Sequence, residues 1–597
     1  WLEDGQEQSL SYSDYIRMTK NYATYLRAHI KAEPDSYIVI SMDTCKEWFP
    51  TFWGIIQAGY NALLIDVNLP DDLFHYLIRQ AGAKAVVSTA KRTLPKSVSF
   101  IDAYELFQSP EAQDFESDHW GDYVALCTSG TTGTSRIFEY NGEAMIEQVL
   151  SSELLSHSLP RGAANRNYRS FAFLPYHHVF GFFTNMMWIS FLGYCDIYPL
   201  NRTPQVLLET AQKCQPNLLI TVPLVANNFC TSLNKKLAKE SAFKRAMFHT
   251  MKSLSLGIQK IAPDMGLKFA EKVLFGSLTS KLLGSSITLI ILGGSYTPME
   301  HLKLFNAIGY YTVCGFGMTE TAITSVETSM NLHKRISGSV GKPLSNVEYR
   351  VKPSDGHGRR GEMFIRGKSL HTGRLVNGKR MPPDTIEGGW YPTGDVVRLE
   401  RGDRMFVEGR VKDVIVNESG ENVYPDELDN IFSAMNGVEQ STVLGVLKPG
   451  KNQKYEDIVL VMNVGSGYKD DAYLETLMQE IHLRNSKLPT LKRLTRVIVT
   501  PEPLPLVNGI KVKRVALKTM IEENKLAYRD LRMNAAKITI TEAPKEVIAR
   551  EVQPSQLQLE EIKQKVRALY ADALDIKPGS FSDDQHFIDD LEGDSLQ

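Results

Sequence analysis

The chain has 597 residues, a formal net charge of −2 at pH 7, 43% hydrophobic residues and 23% charged residues. These are ordinary globular proportions, and at roughly 150 residues per domain the length allows about four domains. The near-zero charge argues against a nucleic-acid binder, and the six scattered cysteines, with no Cys-x-x-Cys spacing, exclude a disulfide scaffold and fit free thiols in a reducing, cytoplasmic compartment.

In chain order, YIVISMD (37–43) reads as a strand and 47–59 as a helix. A helix over 72–81 is followed by the strand AKAVVST (83–89). DYVALCTS (122–129), FAFLP (171–175), NLLITVP (217–223) and ITLIILGG (287–294) are further strands with helical patterns between them. Repeated strand–helix alternation predicts an α/β fold of parallel, doubly wound sheets. Residues 179–194 are nearly apolar, but the run is short for a membrane span and contains Thr184, Asn185 and Ser190. It is expected to be a buried helix.

Residues 232–284 are helical in pattern and basic, with ten Lys/Arg against three Asp/Glu. They read as a solvated face, with a docking surface as the alternative. From 340 to 410 the strands shorten between Gly and Pro turns, and 411–525 reads as a smaller α+β unit. Residues 526–555 read as a linker in which AKITITE could add a strand. The last segment, 556–597, opens on an amphipathic helix and is acidic, with ten Asp/Glu against four Lys/Arg. There is no signal peptide. The first residue is Trp1, so the chain is expected to begin upstream of it.

The stretch CTSGTTGTSRI (127–137) has too few apolar atoms to join a core. Its hydroxyls compete with helix and sheet for the backbone. It is either a solvated linker or a loop that wraps something rich in oxygen. After a strand, such a loop offers backbone N–H groups where ligands sit in open α/β sheets, and nests of N–H groups hold phosphate. Other phosphate motifs do not fit. Gly130 and Gly133 are too close for a P-loop, GEMFIRGKS (361–369) has five residues between its glycines, and GFGMTE (315–320) carries Glu320 where a dinucleotide fingerprint needs glycine.

A series of motifs does fit, in fixed order: TSGTTGTSR, LPYHHVFG (174–181), GFGMTE, GEMFIRG (361–367), WYPTGD (390–395), GRVKDVIV (409–416), SGENVYPDEL (419–428) and NGIKVKR (508–514). Over residues 5–525 the chain resembles the adenylate-forming superfamily of acyl-CoA synthetases, luciferases and peptide-synthetase adenylation domains. The resemblance implies a large domain over 1–410, made of doubly wound sheets plus a small β-barrel subdomain. It further implies a small α+β lid domain over 411–525, a linker over 526–555 and the first part of a helical carrier domain over 556–597.

The family joins a carboxylic acid to the α-phosphate of ATP, releases pyrophosphate and passes the acyl group to a thiol. By resemblance, Thr128, Ser129, Gly130, Thr131, Thr132, Gly133, Thr134 and Arg136 would hold the phosphates, with Arg136 where relatives usually carry Lys. Gly294, Gly315, Phe316 and Gly317 would line the nucleotide, and Thr319 and Glu320 would take part in catalysis, Glu320 as the Mg²⁺ ligand. Asp395 and Arg410 would hold the ribose and His178 would lie at the acyl pocket. Lys511 would bridge carboxylate and α-phosphate, although Lys513 and Arg514 lie close by. Lys412 would be the hinge between the domains.

Peptide-synthetase domains usually place an Asp near LPYHH to pair with a substrate ammonium. Phe173, Leu174, Pro175, Tyr176 and His177 offer none, and a buried unpaired ammonium is costly. The Phe- and Met-rich segment that follows suits an apolar tail, and a core helix would look the same. A fatty acid is therefore the favoured substrate, ahead of aryl and amino acids. FIDDLEGDSLQ resembles a carrier-protein site for 4′-phosphopantetheine, with Ser595 as the attachment point and Glu592 where most relatives have Gly. A carrier needs helices beyond Ser595, so the chain is expected to continue, with a downstream biosynthetic module. The expected cofactors are ATP, Mg²⁺ and 4′-phosphopantetheine. The competing acceptor is free CoA.

Overall fold

The computed structural model describes residues 1–532, apart from 4, 113–116, 129–134, 160–167, 202, 285, 354–357, 417–421, 433–434, 448–454 and 508–510, together with 540–542. Two large sheets organise the first 410 residues. The first has five parallel strands in the order Ser99–Asp102, Ala85–Ser88, Tyr37–Ser41, Asn61–Leu64 and Tyr123–Cys127. Ile137–Asn141, Gly373–Val376 and Lys379–Met381 extend it antiparallel. The second has parallel strands Cys195–Ile197, Arg169–Phe171, Leu218–Thr221, Leu289–Leu292 and Tyr311–Met318, then antiparallel Ala322–Val326 and Lys342–Pro343.

Strand side chains alternate between faces, and both faces of these sheets are covered. Ile38, Ile40, Leu64 and Leu126 of the first sheet share a core with Ile220, Ile291 and Val313 of the second. Val39, Leu63, Val86 and Ala125 point into a separate core behind the first sheet. Leu219, Ile290 and Leu292 do the same behind the second. Burial on both sides is why these strands read as unbroken apolar runs.

The apolar segment after His178 lies in the shared core. A helical turn at Val179–Gly181 passes into a wider π-helical run at Phe182–Ile189, and Phe182, Phe183, Met186, Trp188 and Ile189 are buried there. Its polar residues are bonded internally: Asn185 Nδ2 donates to Ser170 Oγ at 3.0 Å and the Thr184 hydroxyl donates to the Phe180 carbonyl at 2.6 Å. Among the described residues no helix is long and apolar enough to cross a membrane. The strand expected at 171–175 lies earlier, at Arg169–Phe171. Past it the Thr44 hydroxyl donates to the Leu174 carbonyl at 3.0 Å and accepts the Tyr176 N–H at 3.1 Å, holding the chain in a turn. All six cysteines are free.

Where the sequence leads to a small barrel, the structure has a four-stranded antiparallel sheet: Val347–Pro353, Arg360–Gly367, Tyr391–Leu399 and Met405–Arg410. The hairpin between its second and third strands leaves it and joins the first sheet, where Arg380 Nε reaches the buried Glu139 carboxylate at 3.0 Å.

After the turn Val411–Asp413 comes the small domain. Its sheet runs Gln440–Leu447, Glu456–Asn463, Arg496–Thr500, Arg529–Arg532 and Ile540–Glu542. Helices Pro425–Ile431 and Asp471–Ser486 cover one face and Arg514–Glu522 the other. The sheet thus continues beyond residue 525, and its last strand falls within AKITITE. Residues 543–597 lie outside the described residues.

Arg514 is the buried hub of this domain. Its guanidinium pairs with Asp413 at 3.3 Å, Asp429 at 2.5 Å and Asp426, and donates to Thr442 Oγ1 at 3.2 Å. Burial raises the Asp429 pKa and the Arg514 charge opposes that rise. Removing one partner of such a group strands the others in low dielectric. Arg514→Met is therefore expected to destabilise the small domain by about 3–5 kcal/mol, read from its urea midpoint, whereas Lys525→Met, at an exposed side chain, should leave the midpoint in place.

Candidate active site

The strand Tyr123–Cys127 ends where the Ser/Thr/Gly loop begins, and the base of the loop is pinched shut. Thr128 N–H donates to the Arg136 carbonyl at 2.9 Å, and Arg136 N–H donates back to Thr128 Oγ1 at 3.0 Å. The Ser135 hydroxyl also bonds to the Thr128 carbonyl. Arg136 is exposed at this neck. Ser129, Gly130, Thr131, Thr132, Gly133 and Thr134 lie outside the described residues.

Across from it, Tyr311–Met318 carries Gly315, Phe316 and Gly317 into a tight return to Ala322–Val326, with an irregularity between Phe316 and Gly317. A Cβ on Gly317 would stand 2.4 Å from the Ala322 carbonyl oxygen, so only glycine allows this approach. Thr321 N–H closes the turn on the Met318 carbonyl at 3.1 Å, and Ala322 takes a φ of +54°. The buried Tyr140 hydroxyl grips both ends, donating to the Thr319 carbonyl at 2.7 Å and accepting the Ala322 N–H at 3.0 Å.

His371 holds the middle of the same turn. Its backbone N–H and its ring Nδ1 lie 3.2 and 2.6 Å from the Glu320 carbonyl oxygen. A carbonyl only accepts, so Nδ1 carries the proton and Nε2 keeps a lone pair. Burial lowers the His371 pKa and keeps the ring neutral. Phe138 and Tyr391 meet the ring edge-on, with centroids 4.9 and 5.2 Å away.

With its backbone fixed, Glu320 projects a half-buried carboxylate. Burial raises its pKa above the ordinary carboxylate value, Arg410 and Arg136 pull it back down, and Asp395 adds to the rise. These four charges come from three stretches of sequence, Asp395 and Arg410 lying on two consecutive paired strands. Asp395 is buried opposite Arg410 in strand register, and Arg410 Nε lies 3.0 Å from Asp395 Oδ1. The Thr393 hydroxyl accepts the Asp395 N–H at 3.1 Å and donates to the Met363 carbonyl at 2.8 Å, and Gly394 takes a φ of +70° between them. Thr393, Gly394 and Asp395 of PTGD thus each have a structural reason.

On the other side, Gly293 and Gly294 follow the strand Leu289–Leu292, Gly294 with a φ of +84°. The Phe180 ring lies so close that a Cβ on Gly293 would stand 2.9 Å from it. His178, two residues before Phe180, is exposed to solvent, and desolvation lowers its pKa while Asp66 partly opposes this. Its ring is neutral near pH 7. His177 turns elsewhere, with Nε2 3.8 Å from Asp66 Oδ2.

Lys412 sits exposed in the turn Val411–Asp413, between the last strand of the large domain and the small domain. Lys511 is placed by its backbone, in a two-residue strand opposite Val507. Arg514, its neighbour in the motif, is committed to the buried carboxylate cluster. Ser595 lies outside the described residues. Tyr140, Thr393 and His371 are supports that the motif reading misses. Thr393 stood inside a quoted motif, but Tyr140 and His371 carry no spacing signal, because their partners are main-chain atoms remote in sequence.

Comparison with known proteins bears on this arrangement. Residues 2–373 match the family described as AMP-binding enzyme. Among curated relatives, a probable acyl-activating enzyme 16 of Arabidopsis thaliana is 24% identical over 62% of this chain and 57% of its own length. A 2-succinylbenzoate–CoA ligase of Staphylococcus epidermidis is 26% identical over 73% of this chain and 80% of its own. The chain spans under three-fifths of the length of the Arabidopsis relatives, at 57% and 59%. In fold it resembles o-succinylbenzoate CoA synthetase from Bacillus subtilis, solved with its acyl-adenylate intermediate, with a TM-score of 0.66 and 18% identity over 86% of this chain and 94% of that one. The match over residues 2–373 takes in more than half of the chain, which belongs to the AMP-binding enzyme family.

Proposed function

We propose that this chain is an adenylate-forming acid–thiol ligase that activates an apolar, fatty-type carboxylic acid. The observation that carries the reading is the convergence of Arg136, at the neck of the loop, with Asp395 and Arg410 on the Glu320 carboxylate of the 318–322 turn. In the first step a carboxylate oxygen bonds to the α-phosphorus of ATP and pyrophosphate leaves. Two anions must meet, so fixed positive charge and alignment supply the rate. Arg136 and the loop N–H groups receive the triphosphate. Asp395 accepts from the ribose hydroxyls, oriented by Arg410. Lys511 stabilises the charge that builds between carboxylate and phosphate.

Mg²⁺ fits this donor set. Among the described residues no cluster of three or more His, Cys, Asp or Glu could cage a metal. A single half-buried carboxylate suits an ion that keeps water and takes substrate phosphate oxygens. Glu320 would hold it, and the ion would supply positive charge to the phosphates.

In the second step a thiol sulfur attacks the acyl carbon and AMP leaves. Rotation about the turn holding Lys412 would exchange the faces of the small domain, since a hinge need only absorb backbone rotation. Neutral His178 would line the acyl side. One relative is named a long-chain-fatty-acid–[acyl-carrier-protein] ligase and others are CoA ligases. The acceptor we propose is pantetheine on Ser595 of a fused carrier segment, with CoA as the alternative. A Ser595→Ala chain that loses self-acylation but still forms acyl-AMP supports the carrier; undiminished loading of CoA alone selects the alternative.

Carboxylate-dependent pyrophosphate release tests the activity. Release that peaks at one fatty acid and falls about 10²–10³-fold in Lys511→Ala is the expected result. Release driven only by an amino acid would overturn the fatty-acid assignment, and silence from the folded chain would overturn the activity. Glu320 adds a pH test. Its folded pKa is raised, so its ionisation disfavours the fold as pH climbs from the ordinary glutamate value through that raised pKa. Glu320→Gln removes this penalty. Its melting temperature should match the parent at pH 4.5 and exceed it increasingly toward neutrality, while pyrophosphate release falls about a hundredfold.

A further inference from the structure

The basic helical region leaves one surface that neither the fold nor the active site uses. Helix Ala242–Ile261 advances about 100° per residue. Phe243, Met247, Thr250, Leu254, Gly257 and Ile261 therefore share one narrow stripe. The apolar members are open to solvent: Phe243 is 77% exposed, Met247 and Leu254 48% each, and Ile261 90%. From Phe243 to Ile261 the stripe is about 27 Å long. The helix is attached by other residues. Ser255 donates to the Ala307 carbonyl at 2.6 Å and Gln259 to the Asn306 carbonyl at 2.8 Å, while Phe248 and Met251 pack against the core.

The charges around the stripe are mostly positive, although Lys244 pairs with Glu240 at 2.8 Å and Lys268 with Asp264 at 2.7 Å. Ala242–Ile261 contains Lys244, Arg245, Lys252 and Lys260 and no Asp or Glu. Beyond the helix, exposed Met265 and Val273 alternate with exposed Lys268 and Lys272. Long basic side chains carry their charge away from apolar surface while their stems cover it. An apolar stripe on a surface with a net excess of cations, with Lys244 and Lys260 at its two sides, is complementary to a surface that is greasy inside and negative outside. A second copy of the same helix is a poor match, since it would bring like charges together.

We propose that this helix lies on anionic lipid membranes, with Phe243, Met247, Leu254 and Ile261 entering the acyl boundary and the surrounding lysines meeting the headgroups. The helix does not span the bilayer. The proposal is independent of the catalytic reading, and its test does not use activity.

The experiment is co-sedimentation of the full chain with phosphatidylcholine vesicles and with vesicles also holding phosphatidylserine. Binding to the anionic vesicles that weakens with salt is expected. Phe243→Glu with Ile261→Glu should lower the partition at least about tenfold, since both anchors become anionic. Lys260→Gln with Lys272→Gln should lower it by about 25-fold, at about fivefold per cation near the surface. All four positions are exposed, so melting temperatures should be unchanged. No binding, equal binding to both vesicles, or binding indifferent to the Glu substitutions would overturn the proposal. So would a shift from dimer to monomer in the Glu variant, which would make the stripe a subunit seam.

Discussion

The arrangement depends on holding one carboxylate, Glu320, in a partly desolvated place between two guanidinium groups. Leaving an anion there uncompensated is unfavourable, so its backbone must be positioned by something other than its own charge. The turn 318–322 does this with main-chain bonds: Tyr140 at both ends and His371 on the central carbonyl. The supports reach in from the first sheet and from the segment leading into its edge hairpin. The site is therefore a property of how the sheets pack, not of any one motif.

The same logic governs the small domain. Arg514 gathers Asp413, Asp426 and Asp429 around one buried guanidinium. Asp413 ends the turn that contains Lys412, so the first residues past the large domain are tied to the body of the small one. The rotation proposed above would then be concentrated in the few residues before Asp413. A short rigid junction converts a small backbone change into movement of a whole domain.

Much of the first sheet was legible because it is buried on both faces, and burial leaves a continuous apolar run in each strand. Residues 37–41, 61–64, 85–88 and 123–127 carry that signature, although the run at 61–64 is not among the strands read from the sequence. The strand at 171–175 was misplaced because Phe173 and Leu174 are apolar for another reason, the core contacts of a turn held by Thr44. The barrel gave way to an open sheet because a hairpin's partner is chosen by tertiary pairing, here Glu139 with Arg380. At the site, motif order identified the charged groups that face one another, while Tyr140 and His371 escaped notice because they act on backbone atoms, which leave no residue-type pattern.

The edge hairpin at 373–381 also has a meaning in time. Thr372 meets the Glu139 carbonyl across 233 positions of sequence. As the chain emerges from a ribosome, Ile137–Asn141 must wait as a bare strand edge for most of the large domain to be made. Bare edges recruit other strands, and an inward-facing charge is one way to discourage them. Glu139, fully buried in the finished fold, is such a charge while it waits. It repels an apolar intruder and accepts the one hairpin that carries Arg380. The residue that closes the sheet is then also the one that guards it while it is open.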